Sequence, residues 1–248
     1  MKIIAIIPAR GGSLRIRDKN IKNFAGKPLI AWTILEAKKS KQINKIIVAT
    51  DSPKISAIAK KYGAETPFLL PDPLTKSSAS IEPVIKYAYE WLIKNKNYKA
   101  SAIVLLMPPN PLRKAIFIDE AIEIFKKKKS DSVVAVSETP ANHTPYWTLI
   151  RQQNDKVTLF DGQNIKNIIR ISQNFPQKCY GRNDLVYVFK PKNLFEKNSN
   201  LYGNKVELYI TNPLYEADIN TPEEWLMTEI KFKMLKSKLR QDFIKSLV

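Results

Sequence analysis

Short apolar runs alternate with amphipathic segments along the first half of the chain. The apolar runs are rich in β-branched residues, which favours strands, and they occupy residues 3–8, 45–50 and 102–106. Apolar positions at helical spacing predict helices over residues 29–39, 53–62 and 81–94. Such alternation is typical of βαβ units, whose right-handed crossovers build a parallel sheet with helices on both faces. The pattern therefore predicts an α/β fold with a Rossmann-like, mostly parallel sheet, and ligands are expected beyond the carboxyl ends of its strands.

The region from residue 133 to residue 190 departs from this alternation. Prolines interrupt any helix there, and short strands are predicted at residues 133–136, 147–150 and 185–189. A last helix is predicted from Pro222 onward, with Glu223 and Glu224 in its first turn.

Composition fits a globular protein in a reducing compartment. The 248 residues are 44% hydrophobic and 26% charged, enough for one substantial core and a small appended lobe. No apolar segment is long enough to cross a membrane, and the first residues lack the pattern of a signal peptide, so a cytoplasmic location is expected. The single cysteine, Cys179, and the single histidine, His143, exclude an intramolecular disulfide and a zinc site of the usual type.

The net charge of +18 raises the question of nucleic acid. Most of the excess comes from lysines spread over many predicted helix faces, and no segment resembles an RNA-binding motif. The distribution favours a solvated surface whose positive field attracts a triphosphate, and it makes nucleic acid the weaker reading.

The most informative segment follows the first predicted strand. Ala9, Arg10, Gly11, Gly12 and Ser13 form a glycine-rich turn in which backbone N–H groups can converge on an anion. Further basic residues crowd the same loop, namely Arg15, Arg17 and Lys19. The spacing matches neither the dinucleotide-binding fingerprint nor the P-loop. The turn predicts a phosphate site, and the alternative is a tight strand-to-helix turn with solvated charges.

Several ordered motifs resemble those of one enzyme family. The segment IPARGGSLRIRDKNIKNFAGKPLI, which ends at Ile30, resembles the N-terminal signature of the acylneuraminate cytidylyltransferases. IIVATDS looks like their second βα unit, and LLMPPNPLR resembles their LLQPTSPLR turn. YGRNDLVYVF from Tyr180 is similar to YxRNGAIY, and DINTPEEW from Asp218 is similar to DIDTPEDW. These enzymes make CMP-activated nonulosonic acids such as sialic, legionaminic and pseudaminic acid.

The resemblance implies transfer of CMP from CTP to the anomeric hydroxyl of an acidic nine-carbon sugar, with release of pyrophosphate and with Mg²⁺ as cofactor. It also implies a single nucleotidyltransferase domain over residues 1–248, of the nucleotide-diphospho-sugar transferase type. Residues 133–190 would form an inserted lobe that covers the sugar and pairs two subunits in a homodimer.

Site residues follow position by position from the same resemblance. Catalysis falls to Arg10, Lys19 and Asp218, and Mg²⁺ to Asp218 and Asn220. The nucleotide would be bound by Ala9, Arg10, Gly11, Gly12, Ser13, Lys19, Asn20 and Ser80. The sugar would be bound by Met107, Arg170, Arg182, Asn183 and Tyr187. Two of these positions have ordinary structural alternatives: Ser80 belongs to a serine cluster that could cap a helix, and Tyr187 could pack in the core.

Five positions depart from the family pattern. Leu14 and Leu70 stand where cations are usual, Met107 replaces a glutamine, Ser172 replaces an arginine, and Asn220 replaces the second aspartate of the metal pair.

Other residues are candidates to restore the lost charges. Arg15, Arg17 or Lys76 could replace the missing cations, and Arg170 or Arg182 could meet the sugar carboxylate. The departures leave three readings open: an enzyme for an unusual acidic sugar, a degenerate paralogue that acts as a binding subunit, or a transferase for another nucleotide or sugar.

Overall fold

The computed structural model describes residues 1–75, 80–153 and 155–237. Its strands are β1 (Ile3–Pro8), β2 (Asn23–Phe24), β3 (Lys27–Pro28), β4 (Lys45–Ala49), β5 (Ala102–Leu105), β6 (Ser132–Glu138), β7 (Leu149–Arg151), β8 (Val157–Leu159), β9 (Tyr180–Phe189) and β10 (Val206–Ile210). Its α-helices are α1 (Leu29–Lys39), α2 (Pro53–Tyr62), α3 (Glu82–Lys96), α4 (Ala115–Lys128) and α5 (Pro222–Lys236). No helix in these ranges is long and apolar enough to cross a membrane.

A six-stranded sheet in the order β10-β6-β9-β5-β1-β4 forms the centre of the molecule. β1 runs parallel to β4 and β5, and β10 runs parallel to β6. β9 is antiparallel to both of its neighbours, β5 and β6. The prediction of a mostly parallel α/β sheet is confirmed.

Helices cover both faces of this sheet. Because alternate residues of a strand point to opposite sides, each strand supplies apolar side chains to both layers of helices. Along β1, Ile3 and Ile7 pack with residues of α1, α2 and α4 in one buried cluster. Ile4 and Ile6 pack with α3 on the other face. All four side chains are almost completely buried, which explains why the strand reads as a continuous apolar run.

A third, smaller core joins the segment after β1 to α5 and the residues before it. Ile16 and Phe24, from the segment after β1, pack with Ile219 and with Phe232 of α5. The Phe24 and Phe232 rings meet edge to face at a centroid distance of 5.5 Å. This cluster holds the basic turn after β1 against the segment that carries Asp218.

The inserted lobe is smaller than the expected range of 133–190. β6 and β9 belong to the central sheet, and Glu138 at the end of β6 pairs with Tyr180 at the start of β9. The strands predicted at 133–136 and 185–189 are therefore core strands, buried as their apolar sequences require. Between β6 and β9 the chain lies outside the sheet over residues 139–179, which we call the lobe. Within it, the strand predicted at 147–150 begins at Leu149 and pairs with β8.

Candidate functional site

A cleft of about 490 Å³ lies beyond the carboxyl ends of β1, β4 and β5. Ten of the predicted site residues line it: Ala9, Arg10, Gly12, Ser13, Lys19, Asn20, Ser80, Met107, Asp218 and Asn220. Its other lining residues include Leu14, Arg15, Leu70, Leu74, Ile81, Val84 and Asp184. Basic, acidic and apolar side chains from distant parts of the sequence therefore share one cavity.

Two polar contacts fix the glycine-rich turn at the mouth of β1. Gly11 donates its N–H to Oδ1 of Asp51 at 2.7 Å, and a Cβ at Gly11 would lie 3.1 Å from Cβ of Ser52. Gly11 thus permits a close approach to the segment after β4, and it is not among the residues that line the cleft. Buried Asn20 donates from Nδ2 to the carbonyl oxygen of Arg10 at 3.1 Å, which holds the far side of the turn.

Lys19 connects the turn to the segment before α5. Its Nζ donates to the carbonyl oxygen of Ile219 at 2.7 Å and to Oδ1 of Asn220 at 3.3 Å. Partial burial lowers the pKa of Lys19, the positive charges of Arg15 and Arg10 add to that effect, and Asp218 opposes it.

Asp218 is the acidic group of the same corner. Its Oδ2 accepts a hydrogen bond from Nδ2 of Asn220 at 2.6 Å. Partial burial is the main cause that raises the pKa of Asp218, and the nearby carboxylate of Asp184 raises it further. Helix capping does not need Asp218, because Thr221 and Glu224 form a complete capping box at the start of α5.

Leu14 stands where the family motif has a cation, and one of the candidate replacements for that charge lines the cleft. Leu14 lines the cleft with 83% of its surface exposed, and the neighbouring Arg15 lines the cleft as well. Arg17 is not among the lining residues, and its side chain is 98% exposed beside Asp18. Lys76 lies outside the described residues. Of the two candidate arginines, Arg15 lines the cleft and Arg17 does not.

An apolar wall faces these charges. Buried Leu70 occupies the position where the family pattern has an arginine, and it lies beside Val84. Ser80 also lines this part of the cleft. The N-cap of α3 is Ile81, with no side-chain hydrogen bond, so Ser80 is not the capping residue. The other serines of that cluster, Ser77 and Ser78, lie outside the described residues.

Only one of the five predicted sugar-binding residues lines the cleft. Met107 lines the cleft, whereas Arg170, Arg182, Asn183 and Tyr187 do not. Arg170 is exposed on the lobe. Arg182 donates from Nη1 to the hydroxyl of Tyr202.

Asn183 has a structural role beneath the cleft. It is 4% exposed, and its Nδ2 donates to Oγ of Ser137 at 2.9 Å and to Oγ1 of Thr211 at 2.7 Å. Its Oδ1 accepts the N–H of Leu185 at 3.2 Å. The side chain therefore ties β9 to β6 and to the residue after β10. Its burial leaves no surface for the predicted contact with the sugar in this structure.

Asp184 is a cleft residue that the sequence reasoning missed. It lies in YGRNDLVYVF at the position where YxRNGAIY has its glycine, and its backbone is left-handed with φ of +53°. That mismatch between residue and motif was the available signal. The hydroxyl of Tyr187 donates to Oδ1 of Asp184, and burial, followed by this carboxylate, raises the pKa of Tyr187. Tyr187 is 5% exposed, so its expected contact with a sugar also finds no support in the cleft.

Arg113 supports the floor of the cleft from inside the protein. It is 1% exposed, and its Nη2 donates to the carbonyl oxygens of Met107 at 2.9 Å and Asp184 at 3.0 Å. Its Nε donates to the carbonyl oxygen of Leu185, and its Nη1 donates to Oγ1 of Thr33 at 3.1 Å. Burial lowers the pKa of Arg113 to about 9, which leaves the guanidinium charged at neutral pH. One side chain thus fixes two cleft-lining segments relative to each other.

The acidic corner has donors of the kind that Mg²⁺ prefers. The Asp218 carboxylate and the Asn220 amide supply hard oxygen atoms, and Mg²⁺ typically takes one or two carboxylates together with phosphate oxygens and water. In the described ranges, no three His, Cys, Asp or Glu residues cluster in a way that could hold a metal ion. The donor set therefore fits a metal ion shared with a phosphate ligand.

Two relatives match nearly the whole chain, and a third matches two thirds of it. A CMP-N,N'-diacetyllegionaminic acid synthase of Legionella pneumophila is 34% identical, over 92% of this chain and 95% of the relative. Post-translational flagellin modification protein B of Campylobacter coli is 31% identical, over 96% of this chain and 98% of the relative. A pseudaminic acid cytidylyltransferase of Campylobacter jejuni is 33% identical, over 67% of this chain and 71% of the relative.

The solved structure of a CMP:2-keto-3-deoxy-manno-octonic acid synthetase complexed with CTP shares the fold. Its TM-score is 0.67 at 14% sequence identity, and the match covers 95% of this chain and 99% of that chain. The family model described as cytidylyltransferase matches residues 4–239. The chain that builds this cleft therefore belongs to the cytidylyltransferase family.

Proposed function

We propose that the protein transfers CMP from CTP to the anomeric hydroxyl of a nonulosonic acid and releases pyrophosphate. The observation that carries the proposal is the meeting of Arg10, Lys19 and Asp218 in one cleft at the carboxyl ends of the strands. Relatives named for CMP-legionaminic and pseudaminic acid synthesis support the class of sugar. The proposed location is the cytoplasm, and the proposed oligomeric state is a homodimer.

The cations of the turn would act on the triphosphate. The sugar hydroxyl oxygen bonds to the α-phosphorus of CTP, the bond from that phosphorus to the oxygen bridging to the β-phosphate breaks, and the hydroxyl proton passes to water. Negative charge grows on the α-phosphate oxygens and on the leaving pyrophosphate. Arg10, Arg15 and Lys19 line the cleft where preorganised positive charge would stabilise these oxygens.

The acidic corner would hold Mg²⁺ through Asp218 and the amide oxygen of Asn220. When bound, the ion neutralises charge on the phosphate oxygens. Lys19 already contacts the Asn220 oxygen and the Ile219 carbonyl, so it keeps this corner beside the basic turn.

The apolar wall is the proposed place for the cytosine ring and ribose. Leu70, Leu74 and Val84 offer a surface for a planar base, and Ser80 offers a hydroxyl for hydrogen bonding. Arg170 and Arg182 lie outside the cleft of the subunit, so the sugar carboxylate would meet them only in a rearranged or dimeric arrangement.

The neutral residues Leu14 and Asn220 support a second candidate, a nucleotide-binding subunit without catalysis. A transferase for another nucleotide or sugar is the third. Pyrophosphate release separates them when the protein is tested with Mg²⁺, each of the four NTPs, and sialic, legionaminic, pseudaminic and 3-deoxy-octulosonic acids. Release with CTP and one nine-carbon acid supports the proposal. Nucleotide binding without release supports the second candidate, and release with another pair supports the third.

Two variants test the assignment of the site. Arg10→Ala and Asp218→Ala should each lower turnover by at least about a hundredfold, the cost of losing one preorganised charge-stabilising group. Lys54→Ala is the control, since Lys54 is an exposed residue of α2 and is not among the cleft-lining residues. Full activity in both cleft variants would overturn the assignment.

A further inference from the structure

Asp184 brings a second carboxylate into the cleft. It lines the same cavity as Asp218 and Asn220, although it comes from β9 and they come from the segment before α5. The motif comparison gives the contrast: DINTPEEW has an asparagine where DIDTPEDW has its second aspartate, and YGRNDLVYVF has an aspartate where YxRNGAIY has glycine. One carboxylate is missing from the usual place, and one is present where none is usual.

The backbone around Asp184 is held in an unusual shape. Val134 pairs with Tyr187 and Val136 with Arg182, so residues 183–186 of β9 bulge opposite a single residue of β6. Bulges beside functional sites commonly redirect a side chain. Asp184 has φ of +53°, a conformation that glycine adopts freely and that aspartate tolerates better than most other residues.

Neighbouring side chains fix this bulge on both sides of Asp184. Arg113 donates to the carbonyl oxygens of Asp184 and Leu185, and Asn183 accepts the N–H of Leu185. Tyr187 donates its hydroxyl to Oδ1 of Asp184. A carboxylate held in this way through one oxygen resembles a metal ligand oriented by its hydrogen-bonding neighbours.

We propose that Asp184 and Asp218 together hold the divalent cation of the reaction, with Asp184 supplying the negative charge that Asn220 lacks. Tyr187 is then a positioning residue that orients Asp184. This inference rests on the proposed function, because it concerns the cation of that same site.

Direct binding of Mn²⁺ to the full chain tests the proposal without an activity measurement. Free aqueous Mn²⁺ is followed by its electron paramagnetic resonance signal during titration with protein. Asp184→Asn should weaken the affinity for Mn²⁺ by at least about tenfold, and Asp184→Gly, which restores the family pattern at the left-handed position, should do the same. Asp184→Gly combined with Asn220→Asp should recover most of the affinity, because the charge has moved to the usual position.

Asp155 offers a matched control. It is another aspartate with a left-handed backbone, φ of +62°, but it pairs with Arg151 on the exposed lobe. Asp155→Gly and Asp155→Asn should leave Mn²⁺ binding unchanged. Thermal unfolding of each variant confirms that the protein is folded before titration.

The outcomes separate this inference from the proposed function. Unchanged Mn²⁺ affinity in Asp184→Asn, with strong loss in Asp218→Asn, would overturn the role of Asp184 and leave the proposed function standing. If the double variant does not recover Mn²⁺ affinity, the claim that Asp184 supplies the charge missing at Asn220 is refuted. If wild-type protein binds no Mn²⁺ yet releases pyrophosphate from CTP, the inference fails while the transferase assignment survives.

Discussion

Lys19 donates a 2.7 Å hydrogen bond from Nζ to the carbonyl oxygen of Ile219, which lies 200 residues later in the chain. The same ammonium group reaches Oδ1 of Asn220 at 3.3 Å. The basic turn after β1 and the acidic segment before α5 are thus joined at the cleft itself. The small core around Phe24 and Phe232 supports the same junction from below.

Removing the Lys19 ammonium should therefore affect chemistry more than stability. We expect Lys19→Met to lower kcat/KM for CTP by about a hundredfold or more, as the loss of one preorganised donor does elsewhere. Pyrophosphate release measures the effect, and Lys54→Met on α2 serves as the control. An unchanged rate in Lys19→Met would contradict the role assigned to this lysine.

Arg15 should carry part of the affinity for CTP that the family pattern assigns to the position of Leu14. Arg15→Ala is expected to weaken CTP binding by about fivefold, because Arg15 is exposed and a pair of unit charges about 4 Å apart in water is worth about 1 kcal/mol. Adding Leu14→Lys to this variant should restore the affinity, and high salt should shrink both differences. Calorimetric titration with CTP measures the dissociation constants.

Arg17 provides the comparison for that experiment. Its side chain is 98% exposed and is not among the cleft-lining residues, so Arg17→Ala removes the same charge from the same loop without removing it from the cleft. Equal losses in Arg15→Ala and Arg17→Ala would show a general effect of net charge and contradict a specific contact.

Arg113 should be essential for stability because its guanidinium donates to four acceptors, two of them in buried and two in partly buried hydrogen bonds. Arg113→Met leaves buried carbonyl groups without partners, each costing about 1–3 kcal/mol, so the free energy of unfolding should fall by at least about 2 kcal/mol. Arg113→Lys should recover only part of the loss, since an ammonium group cannot reproduce the planar fork. Urea denaturation measures both variants, with Arg151→Met on the exposed lobe as the control. Wild-type stability in Arg113→Met would refute the argument.

Asp131 gives the protein a predictable dependence on acid. Its carboxylate accepts hydrogen bonds from Nζ of Lys190 at 2.9 Å and from the N–H groups of Lys205 at 3.1 Å and Asn204 at 3.3 Å, and these contacts hold its pKa well below the ordinary value. A lowered folded-state pKa stabilises the protein above the unfolded pKa, and the contribution fades as pH falls toward the folded value.

Asp131→Asn should therefore lower the free energy of unfolding at neutral pH by about 1.5–3 kcal/mol, the worth of hydrogen bonds to a charged group. The difference from wild type should narrow as the pH falls below about 4, where the unfolded aspartate takes up a proton. Denaturation curves across this range supply the comparison. A difference that stays constant with pH would show that the charge of Asp131 is not the source.

The sequence predicted β1, β4 and β5 because these strands are buried on both faces and read as short apolar runs. It did not predict the edge strand β10, which is largely exposed and lacks such a run. It failed at the lobe boundaries, because the short apolar runs of β6 and β9 look alike whether they belong to a lobe or to a central sheet. Pairing between Glu138 and Tyr180 is a long-range property that local pattern does not encode.

For the site, as for the fold, the features encoded in a continuous stretch of sequence were predictable and those that depend on long-range contacts were not. Turn residues such as Arg10 and Lys19 were predictable because their motif is continuous in sequence, and the structure places both in the cleft. Asn183 is a different case, because a motif position does not reveal whether its side chain faces the ligand or the core, and here three hydrogen bonds hold it inside. Asp184 was overlooked although it stands where the motif has glycine, because the sequence alone does not show that it shares a cavity with Asp218 and Asn220.

The lobe leaves the sheet after Glu138 and returns at Tyr180, two residues that are register partners. Its two ends are consequently held one strand spacing apart, about 5 Å, whatever lies between them. Doubling the length of such a closed segment costs only about 0.6 kcal/mol of closure entropy. The length and sequence of the lobe can therefore change at little cost to the stability of the sheet. Insertions or sequence changes within residues 139–179 are compatible with an unchanged register between β6 and β9.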